Sequence, residues 1–258
     1  MTQEEVSERT GIDRSTLYRL ESAQQRPQRS TLIQLLDLYQ AEEPRRGELL
    51  ALLREAGQRG WLETYRHDLP TMYAEYIGFE EEARSITQFE SLLIPGLLQT
   101  EDYVRALLSG TIPNAPAHQV EKRVTVRMAR QALLEREDPL RLWAIIDEAA
   151  VRRLVGGRKI MRAQLARLHE AAARPNVTLQ VIPFDAGSHP GMDGPFVILE
   201  FQDDSDSSIV YTDSASGSIM LDEEADVRRH VEMFQHLRAA ALSPNATAAL
   251  LAAIAAET

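Results

Sequence analysis

Four polar residues near the start of the chain have side chains that can donate hydrogen bonds to nucleic-acid bases. They are Arg14, Ser15, Thr16 and Arg19. On an α-helix, residues three and four apart share a face, so Arg19 would lie beside Ser15 and Thr16. A guanidinium can donate two parallel hydrogen bonds to guanine, and a hydroxyl can bond to a base or a phosphate. This spacing predicts base contacts by Arg14 and Arg19, but it also suits an ordinary solvated helix face.

Three further residues near these four could bind phosphate groups. Gln3 begins a preceding helical segment, and a helix N-terminus attracts anions. Arg26 and Arg29 follow the segment that contains Arg19 and could contact backbone phosphates.

The elements that must position these side chains are short helices. Thr2 followed by Glu5 forms a capping box, and Gly11 is suited to end the helix that follows. Asp13 is suited to cap a second helix from residue 14 to about residue 23, and Ser30 a third. Two short helices joined by a glycine-containing turn form a helix-turn-helix. The pattern predicts an all-α helix-turn-helix module over residues 1–58.

Residues 59–258 alternate between strand and helix patterns, which predicts a mixed α/β domain. Extended segments are expected at 85–90, 141–146, 177–183, 196–201 and 209–212. Helices are expected at 100–108, 117–136, 148–154, 159–173, 222–240 and 244–256.

Composition and charge restrict the class of protein. The chain of 258 residues contains no cysteine, which excludes thiolate metal clusters and cysteine nucleophiles. Its net charge is −11, whereas residues 1–30 carry five arginines and five acids and are neutral. Such asymmetry is typical of a nucleic-acid-binding end. With no apolar run of membrane length and no secretory leader pattern, we expect a cytoplasmic protein without membrane contact.

The remaining chemistry-bearing residues favour binding over catalysis. Ser188, His189 and Asp193 share one glycine-rich loop, but no G-x-S-x-G motif is present. His230 and His236 are six residues apart and cannot share a helix face as metal ligands. We therefore expect neither an enzyme nor a metal or cofactor site. The 187–195 loop could instead cover a pocket, with His189, Met192 and Phe196 as candidate contacts to a ligand or partner.

Resemblance extends this interpretation of the first module. The residues from Thr2 to Val6, from Gly11 to Glu21 and at Arg26-Pro27 resemble the XRE family, the phage-repressor and Cro type of helix-turn-helix. The resemblance implies binding to double-stranded DNA. It places base readers at Arg14, Ser15 and Arg19 and phosphate contacts at Gln3, Thr16 and the Arg26 region. It also implies a helix ahead of Gln3 that is missing here. We therefore expect a start upstream of Met1; the alternative is that residues 1–30 are held only by the helices of residues 30–58 and bind DNA poorly.

The second part resembles the C-terminal domain of the WhiJ-like actinobacterial regulators. The resemblance is carried by residues 90–103, 147–150, 187–196 and 237–244. It implies a transcription regulator, often encoded beside a small partner protein in a toxin–antitoxin-like arrangement.

These observations together predict a sequence-specific DNA-binding transcription regulator whose C-terminal domain binds a small partner protein or a ligand. The 187–195 loop and the 222–240 helix are the candidate surfaces. One recognition helix contacts too few base pairs to specify a unique site in a genome, so we expect a homodimer. The alternative is an interaction protein whose degenerate helix-turn-helix does not bind DNA.

Overall fold

The computed structural model describes residues 1–22, 27–57, 65, 69–112, 114–202, 207–214 and 216–258. The described residues belong to two compact units, one within residues 1–64 and one within residues 65–202 and 207–258.

The first unit is helical throughout its described part. Its helices are α1 (Gln3–Thr10), α2 (Arg14–Glu21), α3 (Arg29–Leu38) and α4 (Arg45–Gly57). Helix α1 packs against α2 and α3, and α3 packs against α4. Among the side chains that the structure describes, each helix contributes one buried apolar residue: Val6, Leu17, Leu36 and Leu53.

Hydrogen bonds at the helix ends confirm most of the capping that the sequence predicts. Thr2 Oγ1 accepts from the Glu5 backbone N–H at 3.3 Å, and the Glu5 carboxylate accepts from the Thr2 N–H at 2.8 Å. Gly11 ends α1 in the left-handed conformation, with φ of 75°. Asp13 Oδ1 accepts from the Ser15 backbone N–H at 2.8 Å and so caps α2.

The predicted cap of the third helix was wrong. Gln28, in an extended conformation, precedes α3, and it makes no side-chain cap hydrogen bond. Pro27 comes directly before it, and a proline, which has no backbone N–H to donate, is suited to the segment just ahead of a helix. The helix therefore begins at Arg29, and Ser30 lies inside its first turn.

The second unit is built on a six-stranded mixed sheet of described residues. Its strands are β1 (Ser85–Glu90), β2 (Arg141–Asp147), β3 (Val177–Ile182), β4 (Phe196–Glu200), β5 (Ile209–Ser214) and β6 (Gly217–Leu221). Their order is β3-β2-β1-β4-β5-β6. Strands β1 to β3 run parallel, whereas β4 to β6 pair antiparallel, with β1 joining the two halves.

Helices accompany the sheet of the second unit. They are α5 (Thr71–Glu82), α6 (Glu101–Thr111), α7 (Ala117–Arg130), α8 (Glu148–Arg152), α9 (Arg158–Ala172), α10 (Glu224–Ala240) and α11 (Pro244–Glu257). Across the described residues no single helix is long and apolar enough to cross a membrane; α10 and α11 reach that length and composition only as a pair bent by 67°.

Strand register separates the two faces of the sheet. Phe89 is paired with Ile145 on β2 and with Phe196 on β4, and these residues pack in one core cluster with Phe234 and Leu237 of α10. Phe234 and Leu237 on the apolar face of α10, one of the surfaces considered for a partner, are therefore part of the core, whereas Val231 is exposed. Gln88 is paired with Val197, and Val197 with Tyr211, so these three residues share the opposite face.

Candidate functional site

Helix α2 carries the residues that the sequence assigns to base contacts. Arg14, Ser15 and Arg19 are exposed on it. Arg19 Nε donates to the Ser15 backbone oxygen at 3.1 Å, and Arg19 Nη2 donates to Thr16 Oγ1 at 3.4 Å. The structure thus brings Arg19 together with Ser15 and Thr16 on one side of the helix.

Arg14 has an acidic neighbour on α1. Its Nη1 donates to Glu4 Oε1 at 2.9 Å, and the Arg14 side chain remains 60% exposed. An ion pair between two exposed side chains contributes little stability, so Arg14 can exchange Glu4 for another acceptor.

The residues assigned to phosphate contacts have different surroundings. Gln3 Nε2 donates to Glu21 Oε2 at 2.6 Å and so links the start of α1 to the end of α2. Arg29 is the first residue of α3 and is partly buried. Arg26 lies outside the described residues.

A cleft lies in the second unit between helices α5 and α7 and the face of the sheet that carries Gln88. Its volume is about 180 Å³, and an adjoining cavity of about 150 Å³ shares Tyr73, Arg127, Tyr211 and Asp213 with it. The charged and aromatic residues that line the cleft are Tyr73, Tyr76, Glu90, Arg127, Arg130, Phe196, Tyr211 and Asp213.

A buried ion pair fixes one wall of this cleft. Arg130 donates to both carboxylate oxygens of Glu80, at 2.6 and 2.7 Å. The Tyr76 hydroxyl donates to Glu80 at 2.7 Å, and Arg130 Nη1 donates to the Tyr73 oxygen at 2.6 Å. Every group in the cluster has a partner, which a buried charge requires.

The charge of this wall also acts on a tyrosine of the cleft. Burial alone would raise the pKa of Tyr73, but the charges of Arg130 and Arg127 outweigh burial and hold that pKa below its ordinary value. The cleft is therefore electropositive around the Tyr73 hydroxyl.

Glu90 lies in the same cleft without a basic partner. Burial raises the pKa of Glu90 to about 8; the Arg127 charge opposes this rise and the Asp213 charge adds to it. Glu90 Oε1 accepts from Gln88 Nε2 at 3.2 Å, while Arg127 Nη1 donates to the amide oxygen of Gln99 at 3.1 Å. Within the described part of the chain, neither Glu90 nor Arg127 forms an ion pair.

The three loop residues considered as ligand or partner contacts do not form one surface. His189 has a side chain only 6% exposed; its Nε2 lies 3.3 Å from Asp147 Oδ2, and its ring packs edge-on to Phe89. Phe196 is 2% exposed and belongs to the core cluster, although it also borders the cleft. Met192 is 72% exposed.

Sequence reasoning did not find the Glu90–Arg127 cleft. Only one feature of the sequence pointed to Glu90 as a site residue. It is a carboxylate at the end of an extended segment that is followed by apolar residues. The helix 117–136 displayed Arg123, Arg127 and Arg130 four and three residues apart, which places them on one face. That spacing could have indicated a basic lining.

Comparison with known families divides the chain in two. A helix-turn-helix domain model matches residues 1–49, which supports a DNA-binding role for the first unit. A second family model, described as a domain of unknown function (DUF5753), matches residues 73–253. No curated protein and no solved structure matches the chain. Because the second model covers most of the chain, this protein belongs to the DUF5753 family and carries a helix-turn-helix domain at its N-terminal end.

Proposed function

We propose that this protein is a sequence-specific transcription regulator of the XRE type that reads DNA with helix α2. The observation that carries the proposal is the exposed face of α2, on which Arg19 lies beside Ser15 and Thr16, with Arg14 on the same helix. Exposed guanidinium groups at a helix start can reach base edges in the major groove. The helix-turn-helix match to residues 1–49 supports this use of α2.

We further propose that the protein acts as a homodimer in the cytoplasm. In this proposal the C-terminal unit binds a small partner protein or a ligand rather than catalysing a reaction. As in the WhiJ-like regulators that the chain resembles, such a partner would be encoded nearby. Binding would alter DNA affinity by the difference between the ligand's affinities for the free and DNA-bound protein.

One alternative has a specific observation in its favour. Gln3 is hydrogen-bonded to Glu21, and Arg14 is paired with Glu4, so acids on α1 and α2 compete with DNA for two of the proposed contacts. In a degenerate helix-turn-helix these contacts would persist, and the protein would bind only its partner.

Selection from random double-stranded DNA with the full-length chain separates the two functions. We expect one enriched motif, with affinity that falls as salt increases because bound phosphates release counterions. The doubly substituted Arg14→Ala, Arg19→Ala protein should lose the enrichment, whereas substitution of Arg162, an exposed arginine on α9, to alanine should preserve it. Absence of any enriched motif with the unsubstituted chain would favour the alternative.

A further inference from the structure

A carboxyl group and a guanidinium group line the cleft of the second unit without forming an ion pair with each other. Glu90 ends β1 and accepts a hydrogen bond from the neutral amide of Gln88. Arg127 lies on α7 and donates to the neutral amide of Gln99. Both side chains are only partly buried, so a molecule bound in the cleft can reach them. The cleft therefore offers one acidic and one basic group that form hydrogen bonds, but no ion pair, with the described residues.

The neighbouring ion pair between Arg130 and Glu80 shows how a buried charge is stabilised in the same unit. Arg130, one helical turn from Arg127, is buried and bonded to both oxygens of Glu80. Tyr73 and Tyr76 complete its hydrogen bonds. Glu90 and Arg127 lack such a match although they line the same cavity. This contrast indicates that their complement comes from a bound molecule.

Groups from several elements contribute to the electrostatic surroundings of Glu90. They are Tyr73 and Tyr76 of α5, Tyr103 of α6, Arg127 and Arg130 of α7, and Asp213 of β5. Asp213 lines both the cleft and the adjoining cavity and accepts from Ser218 Oγ at 2.8 Å. Arg123 lines the adjoining cavity. Acidic and basic groups thus line the same site.

Tyrosine rings contribute to the remaining surface of the cleft. The rings of Tyr76 and Tyr211 stack at 4.4 Å between centroids, and Tyr73 stacks on Tyr76 at 6.2 Å. Leu93 adds an aliphatic surface. A surface lined by tyrosines favours a ligand with an aromatic ring, because that ring gains both buried area and ring–ring contacts.

We propose that the cleft binds an α-amino acid with an aromatic side chain, whose ammonium group pairs with Glu90 and whose carboxylate pairs with Arg127. The proposal rests on the ligand-binding role proposed above for the C-terminal unit and names its ligand. Both charges of the cleft are then matched, and the side chain of the ligand lies against the tyrosine rings.

Calorimetry on the full-length chain without DNA tests the ligand class. The probes are L-phenylalanine, L-tyrosine and L-tryptophan, followed by phenethylamine and 3-phenylpropionate, which each lack one charge of phenylalanine. We expect at least one amino acid to bind and each single-charge analogue of phenylalanine to bind about tenfold or more weaker than phenylalanine, since one charged hydrogen bond is lost. Equal affinity of the analogues would overturn the proposal. So would the absence of binding by phenylalanine and tryptophan at about 10 mM and by the sparingly soluble tyrosine at saturation, where even a millimolar ligand would be detected.

Matched substitutions test the two assigned residues. Glu90→Gln and Arg127→Gln should each weaken binding of the amino acid by about tenfold or more. Glu137→Gln and Arg162→Gln, at exposed positions, should leave binding unchanged. Unfolding curves recorded for all four variants identify a protein that has merely failed to fold. Unchanged binding by either folded cleft variant would contradict the assignment.

The pH dependence of binding separates direct pairing from a structural role. The ligand's ammonium group requires ionised Glu90, whose pKa is about 8 in the empty cleft. Affinity should therefore rise about fivefold between pH 7 and pH 8, with proton release, and Glu90→Gln should abolish the rise. A rise that persists in Glu90→Gln would exclude Glu90 as the ammonium partner. Because no DNA is present, a failure of DNA recognition cannot alter this result.

Discussion

At the scale of single residues, burial has opposite consequences for two carboxylates of the C-terminal unit. Glu80 is fully buried, but Arg130 and Tyr76 bond to both of its oxygens, and it acts as a counter-ion. Glu90 receives only an amide hydrogen bond, so burial raises its pKa to about 8. At neutral pH most Glu90 side chains are therefore protonated in the empty cleft.

This raised pKa predicts a pH-dependent stability. The folded chain keeps the Glu90 proton up to about pH 8, whereas an unfolded chain releases it near the ordinary value of 4.5. Between these values the folded state binds more protons, so stability should fall as pH rises, by at most about 1.4 kcal/mol per pH unit. The side chain introduced by Glu90→Gln cannot ionise, so this variant should not lose stability in this way as pH rises. Its melting temperature should exceed that of the unsubstituted protein increasingly from pH 5 to pH 8.

The control for this series is Glu137→Gln, which neutralises an exposed carboxylate. Its melting temperature should follow that of the unsubstituted protein across the same range. A constant difference between Glu90→Gln and the unsubstituted protein at every pH would contradict the Glu90 assignment.

At the scale of elements, local signals determine the first two helices. Thr2 and Glu5 form their capping box, and Gly11 ends α1 with a φ of 75°. A residue with a Cβ is strained at that φ, although a Cβ at Gly11 would meet no atom within 4 Å. The glycine is therefore required by the backbone conformation and not by packing.

This distinction can be measured with two glycine substitutions. Gly11→Ala should destabilise α1 and α2 by about 1 kcal/mol through left-handed strain alone. Gly110→Ala, on the exposed side of α6 with equally open surroundings and an ordinary helical φ, should be neutral or stabilise by up to about 1 kcal/mol. Amide exchange of each helix reports the effect. Faster exchange of α6 in Gly110→Ala, or unchanged exchange of α1 in Gly11→Ala, would contradict this account.

The limits of sequence reasoning also lie at this scale. The patterns predicted β1 to β5 and the helices α6 to α11 because apolar periodicity and caps are local. Strand β6 was not predicted, since its residues are partly exposed and it is defined by pairing with β5. The cleft was missed for a related reason. Glu90, Arg127 and Asp213 come from distant segments, and only the placement of β1 between β2 and β4 brings them to one cavity.

At the scale of the whole molecule, the negative net charge of the chain opposes its proposed binding to DNA, which is also negatively charged. The chain carries −11 overall, and residues 1–30 are neutral. Non-specific attraction to DNA is therefore weak, and affinity must come from a few aligned contacts. Two copies of α2 on one DNA site would double those contacts.

We accordingly predict a homodimer on DNA. Footprinting on the selected motif should show two half-sites about 34 Å apart, or a multiple of that spacing. Sedimentation of the full-length chain with this DNA should give two chains per duplex. One chain per duplex at saturation would contradict the prediction, and a duplex that carries a single half-site is the control.

The most direct test of DNA reading by α2 compares base preferences at every position of the selected motif. The proteins are the unsubstituted chain, Arg19→Ala and the control Arg162→Ala. If Arg19 contacts a guanine, its loss should reduce discrimination by about 1–3 kcal/mol at one base pair in each half-site and leave the other positions unchanged. Arg162→Ala should reproduce the original preferences. If Arg19→Ala retains every base preference, or weakens binding to all sequences equally, α2 does not read DNA through Arg19.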